Sequence, residues 1–165
     1  PRRLTRELYA GMHFALGQYV GNPVAVEESD VAAFKDVADH AEGFLYFQGT
    51  WQVEDEYMRP AAPLDEVEPA YVVLAFRGRA VNVVVRPQGQ MQFKVEVRLD
   101  GAAVPKPLAG TDISYEDDGR SVIVMTEARL YNVLANMPDE RHELRLIPDS
   151  SDFNLYTFTF SNNQA

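Results

Sequence analysis

Cysteine is absent from the 165-residue chain, which excludes disulfides, thiolate nucleophiles and thiol metal ligands. Thiol–disulfide exchange proceeds by thiolate attack, so that chemistry cannot reside in these residues. Histidine is nearly as scarce: His13, His40 and His142 lie far apart, with no second ligand type at a recognisable spacing, so no zinc pattern forms. A Gly-x-Ser-x-Gly elbow, a phosphate-binding glycine loop and a dinucleotide fingerprint are also missing, and neither a resident metal nor a cofactor is expected. No stretch approaches the ~20 consecutive apolar residues of a membrane span. Pro1-Arg2-Arg3 is not followed by an apolar signal core, and Pro1 is no start methionine, so the chain reads as a piece of a longer product. These residues do not set its compartment.

Basic residues are also in short supply. Fifteen Lys and Arg face twenty-five Asp and Glu, a formal charge of −10, so the long-range field repels polyanions. Neither nucleic acid nor direct membrane contact is expected. What remains is the composition of an ordered protein, 46% hydrophobic and 11% aromatic, able to bury a core. The length suits one domain over residues 1–165.

The strongest pattern is Met91-Gln92-Phe93-Lys94-Val95-Glu96-Val97-Arg98-Leu99, apolar at every odd position and polar at every even one, the signature of a half-buried strand. Asp100-Gly101 follows and predicts a tight hairpin turn. Further runs rich in Val, Tyr, Phe and Thr span 44–57, 71–76, 80–86, 122–125, 129–134, 143–147 and 153–160. Turn signals at Gly78, Pro87 to Gly89, Asp117-Asp118-Gly119, Pro138-Asp139 and Pro148-Asp149 divide them. Strands so closely spaced leave no room for parallel crossovers, so the sheets should be antiparallel. In the last run Tyr156, Phe158 and Phe160 are expected on one face, with Leu155, Thr157 and Thr159 on the other. Ser29-Asp30 reads either as the cap of a short helix through Asp39, with Val31, Phe34 and Val37 or Ala38 on one side, or as part of a long loop packed across the sandwich by Phe34.

The acidic loops Glu116-Asp117-Asp118 and Asp149-Ser150-Ser151-Asp152 carry oxygen ligands of the type calcium takes, but neither follows the EF-hand pattern, and Asp and Ser favour turns in any case. Trp51, the one tryptophan, is either core or a flat platform for a sugar ring. The outward row Gln92, Lys94, Glu96 and Arg98, with Arg77, Arg79 and Arg86 beside it, is either a solvated sheet face or a set of hydrogen-bonding groups for a ligand.

Thr5-Arg6-Glu7-Leu8-Tyr9-Ala10-Gly11, Gly21-Asn22-Pro23, Gly49-Thr50-Trp51, Val95 to Gly101, Arg129-Leu130-Tyr131 and Tyr156-Thr157-Phe158-Thr159-Phe160 together resemble the C-terminal domain of DipZ-type thioredoxin-like proteins, a group that includes cytochrome c biogenesis proteins. The order of the motifs is kept along nearly the whole chain. One departure is Ser161, where the family usually has glycine after Phe-Thr-Phe. The resemblance implies an antiparallel jelly-roll β-sandwich with at most one or two short helices, likened to carbohydrate-binding modules. It also implies an accessory position behind a thioredoxin-like domain that carries the redox cysteines, outside the cytoplasm where the membrane-anchored architecture applies.

The functional expectation is therefore a non-catalytic, carbohydrate-binding-like accessory domain. The alternative is a module that docks the upstream thioredoxin-like domain or its client, or that oligomerises. A neutral saccharide suits the acidic charge better than an anionic polymer. A pyranose needs a flat aromatic surface ringed by hydrogen-bonding groups, which makes Trp51 and Tyr57 the candidate platforms and Arg77, Gln92 and Lys94 the candidate rim.

Overall fold

The computed structural model describes residues 4–12, 18–23 and 30–162. Thirteen strands run through these residues: β1 (Leu8–Tyr9), β2 (Val31–Phe34), β3 (Tyr46–Val53), β4 (Met58–Pro60), β5 (Tyr71–Phe76), β6 (Ala80–Pro87) and β7 (Phe93–Leu99), then β8 (Ala102–Ala103), β9 (Ser114–Tyr115), β10 (Ser121–Met125), β11 (Arg129–Leu134), β12 (His142–Pro148) and β13 (Phe153–Ser161). The helical element among the described residues is a 3-10 turn at Lys106–Leu108.

The pairings nest. β7 pairs with β10, β6 with β11, β5 with β12 and β4 with β13, all antiparallel, as in one long hairpin. The hairpin is then wound on itself, because β12 also pairs with β7 and β13 with β6. Two sheets result, a first of order β4-β13-β6-β11 and a second of order β5-β12-β7-β10, which is the antiparallel jelly roll. The sheets pack face to face. Phe153 of the first meets Phe93 of the second with centroids 6.5 Å apart, and Phe160 stacks on Phe76 at 5.9 Å.

Strand β3 belongs to both layers. Tyr46 to Gln48 pair with β5 of the second sheet, whereas Gly49 to Val53 pair with β2 and β4 of the first. The switch falls at Gly49, whose φ of 95° favours glycine, and a Cβ there would lie 3.0 Å from Ala70 Cα. The bend makes the corner of the sandwich.

Strand β7 alternates buried and half-exposed residues through its whole length, and Asp100 and Gly101 both adopt positive φ, 51° and 83°, as a tight hairpin into β8 requires. The strand begins two residues later than its sequence pattern, however. Met91 is 77% exposed and packs into no core.

Two sequence expectations need correction. Val31–Phe34 forms an edge strand on β3 and not the start of a helix, because ladder bonds to β3 satisfy a backbone that a short helix would have to nucleate alone. Ser29 lies outside the described residues. In β13 the register slips between Leu155 and Thr157, a bulge that leaves Tyr156 unopposed. As a result Leu155, Phe158 and Phe160 share the buried face, while Tyr156, Thr157 and Thr159 turn outward.

Candidate functional site

The residues singled out by sequence do not converge. Trp51 is fully buried; its indole N–H donates to the Gln48 carbonyl at 3.0 Å, and its ring packs edge-on against Phe47 at 4.9 Å. Just past the corner at Gly49, its position turns it into the core between the sheets, so it offers no surface to a sugar. Arg77 follows β5, where its side chain lies 3.1 Å from Glu42 and its backbone N–H donates to Thr5 Oγ1 at 2.7 Å. Gln92 precedes β7 and is exposed. Lys94 lies on the outer face of the second sheet, 2.7 Å from Glu116 Oε1. Tyr57 stands apart from all of these, just before β4 on the outer side of the first sheet. His13 lies outside the described residues.

The outer face of the second sheet is a network of matched charges. Arg98 pairs with Glu96 at 2.8 Å, Arg120 with Asp118 at 2.8 Å and Arg141 with Glu143 at 3.0 Å. His40 is buried, with its ring nitrogens 2.7 Å from Asp36 Oδ1 and 3.1 Å from Glu143 Oε1. Hydrogen bonds from His40 and Arg141 hold the Glu143 carboxyl below its usual value even though burial pushes it upward. Tyr71 donates to Asp36 at 2.5 Å and carries the Arg145 guanidinium 4.0 Å above its ring. Burial first, and the bond to Asp36 second, push its phenol up to about 12. Beside this network lies a cleft of about 770 Å³, whose walls include Pro63, Leu64, Lys94, Glu96, Arg120 and Ile147. Among the described residues, no group of three or more His, Asp or Glu is placed to hold a metal ion. The acidic loops use their oxygens locally instead: Asp118 accepts from the Arg120 N–H and Asp149 from the Lys94 N–H.

A second constellation, on the outer face of the first sheet, is built by the bulge. Turned outward there, Tyr156 lies 5.2 Å from Tyr57 with the rings inclined at 32°. Burial raises the Tyr156 phenol above its usual value, while Arg86 pulls the other way. Arg86 sits 5.8 Å over Tyr156 and Arg59 6.0 Å over Tyr57. Between them is Asn154, directly opposite Arg86 in the β13–β6 register. On its other side, one antiparallel step from the Leu155–Met58 pair places Arg59. Its Nδ2 donates to Gln88 Oε1 at 2.8 Å, and Arg59 Nη1 donates to the same oxygen at 3.0 Å. Asn154 is only 3% exposed, yet its Oδ1 has no hydrogen-bond partner. A buried orphan of this kind costs about 1–3 kcal/mol. Beyond Tyr156 the face continues into a hollow of about 240 Å³ walled by Val84, Arg129 and Leu130.

Of this constellation the sequence reading reached Tyr57 as a platform and Arg86 only as a neighbour of the β7 row. Tyr156, Asn154 and Arg59 were missed. A signal existed: in Phe153-Asn154-Leu155-Tyr156-Thr157-Phe158 the large apolar residues at 155 and 158 cannot share a face under strict alternation, so one extra residue has to bulge.

A family model described as the thioredoxin like C-terminal domain matches residues 5–161. The chain belongs to that family and is an accessory domain of a thioredoxin-like protein. A search of curated proteins finds no match.

Proposed function

We propose that this domain is non-catalytic and holds a saccharide on the outer face of its first sheet. The observation that carries the reading is the orphaned Asn154 Oδ1 between two guanidinium groups and beside the Tyr57–Tyr156 pair. A hydroxyl both donates and accepts, so one sugar hydroxyl can donate to Asn154 and accept from Arg86 or Arg59. The tyrosines supply the apolar surface that a pyranose C–H face packs on. A bulge that re-aims a side chain is a common feature beside binding sites. The carbohydrate expectation is thus supported on different residues from those first considered, with Tyr57 common to both.

Calorimetric titration of the full chain with short oligosaccharides tests this. Tyr57→Ala and Tyr156→Ala are each expected to weaken binding about tenfold, which is ~1.4 kcal/mol and within the ~0.5–1.5 kcal/mol that aromatic pairs add beyond area. No binding of any oligosaccharide at millimolar concentration would reject the reading. The docking alternative draws instead on the cleft beside Lys94 on the second sheet, which at about 770 Å³ has room for a partner's side chains. It predicts association with the thioredoxin-like domain by sedimentation without any sugar.

A further inference from the structure

On the same face, and resting on the saccharide reading, we infer that the preferred ligand carries a carboxylate, engaged by Arg86 and Arg59. Six of the thirteen Lys and Arg among the described residues, Arg77, Lys94, Arg98, Arg120, Arg129 and Arg141, lie within 3.1 Å of a carboxylate. Arg86 has no carboxylate partner among the described residues and rests over the Tyr156 ring, much as Arg145 rests over Tyr71, but it shares its outward row with a second arginine that also lacks one. Arg59 spends one donor on Gln88, a neutral amide.

These two guanidinium groups flank one strand. Asn154 lies between β4 and β6, so the Arg59 and Arg86 backbones are two strand spacings apart, about 9–10 Å. Flexible side chains of that length, anchored on the same outward row, can close on a single carboxylate. Arginine presents a planar fork of donors that matches a carboxylate in bidentate fashion, and such charge-assisted bonds are roughly twice as strong as neutral ones.

The net charge of −10 opposes a polyanion but not a short ligand with one acidic group. Beyond about 8–10 Å, charges are largely screened at physiological ionic strength, so the local pair decides. The predicted ligand is therefore a short, mostly neutral saccharide with a single uronate unit. Its hydroxyl meets Asn154 Oδ1, its ring packs on the tyrosines and its carboxylate lies between the arginines.

The test is calorimetry on the full chain with two matched pairs of probes: xylotriose against the same trisaccharide bearing one glucuronate branch, and cellotriose against the same trisaccharide with one terminal glucose replaced by glucuronate. The acidic member of at least one pair is expected to bind ten times tighter or more. Arg86→Gln, a change at an exposed position, should weaken the acidic member at least ten times more than it weakens the neutral one. Equal affinities within both pairs, or an Arg86→Gln loss shared equally by acidic and neutral members, would overturn the carboxylate inference and leave the saccharide reading standing. Acidic probes that bind but ignore Tyr57→Ala would overturn the saccharide reading itself, and both fall if no probe binds at millimolar concentration.

Discussion

The two outer faces of this sandwich are built on the same alternation of strand residues and end in opposite chemistry. On the second sheet most cations meet acids: Lys94 meets Glu116, Arg98 meets Glu96, Arg141 meets Glu143, and His40 is held between Asp36 and Glu143, while Arg145 lies over the Tyr71 ring. On the first sheet Arg59 and Arg86 lie over tyrosine rings, and a buried amide oxygen goes without a donor. A face whose groups satisfy one another has little left for a ligand. One with unused donors and an unused acceptor has much to gain from one, because leaving a buried polar group unpaired costs more than an average hydrogen bond contributes. The difference separates structural polarity from polarity available for recognition.

Between the faces lies the core, and the largest effect expected of any single change belongs there. Trp51→Ala should destabilise the fold by about 3–5 kcal/mol, as truncation of large buried aromatics does, with a matching fall in the urea midpoint. Tyr156 and Tyr57 are partly exposed, so their alanine variants should fold nearly normally. If Trp51→Ala left stability intact, Trp51 would be a surface group after all and the first sheet would lose its claim.

The next effect runs in the opposite direction. Asn154→Leu removes the orphaned oxygen and keeps the branching at Cγ, at the expense of one bond to the exposed Gln88. Since relieving an unsatisfied buried group is worth about 1–3 kcal/mol, a gain near 1 kcal/mol is expected, together with weakened saccharide binding. Stability and binding would then trade off at a single residue. A variant that is both less stable and still binds would show that Asn154 serves the strand and not a ligand.

How much of this was legible in the sequence varies with the distance over which each feature is determined. The alternation of β7 and the Asp100-Gly101 turn are local, and both appear where local patterning puts them. β2 reads locally as a capped helix because its sequence, Val-Ala-Ala-Phe, suits either state, and only pairing with β3 decides it. The fate of Trp51 depends on the corner at Gly49, where one strand passes between sheets, and no single-strand pattern encodes that. The Tyr57–Tyr156 pair joins residues 99 positions apart through a bulge, and the Asn154 orphan exists only because β4 and β6 close around β13. Sequence supplied the residue types for an aromatic and polar face; which of them share it was settled by long-range pairing.

A smaller effect should appear at high pH and mark the second sheet as the self-satisfied one. Tyr71 is raised to about 12 by burial and by its bond to Asp36, whereas an unfolded tyrosine ionises near 10. A folded value above the unfolded one means that this contribution is fully present below pH ~10 and is lost as pH rises toward 12. Ultraviolet titration should show one tyrosine ionising late in the wild type and none doing so at that position in Tyr71→Phe. A Tyr71 that titrates near 10 would mean that the network with Asp36 and Arg145 is open in solution.

The smallest effect expected is the one that discriminates best between the faces. Lys94 pairs with Glu116, with 45% of the lysine side chain and 28% of the glutamate exposed, and exposed pairs of this kind contribute about 0–1 kcal/mol. Lys94→Gln should therefore barely move the melting temperature. More tellingly, it should leave saccharide affinity unchanged, because its ammonium is already matched and lies on the sheet that Tyr57, Asn154 and Arg86 do not share. The comparison is made with Tyr57→Ala under identical conditions, which is expected to cost about tenfold. If the order were reversed, with Lys94→Gln abolishing binding and Tyr57→Ala silent, the ligand would sit in the cleft of about 770 Å³ beside Lys94. The matched charges of the second sheet would then be the recognition surface, and the orphaned oxygen of the first an unrelated defect of packing.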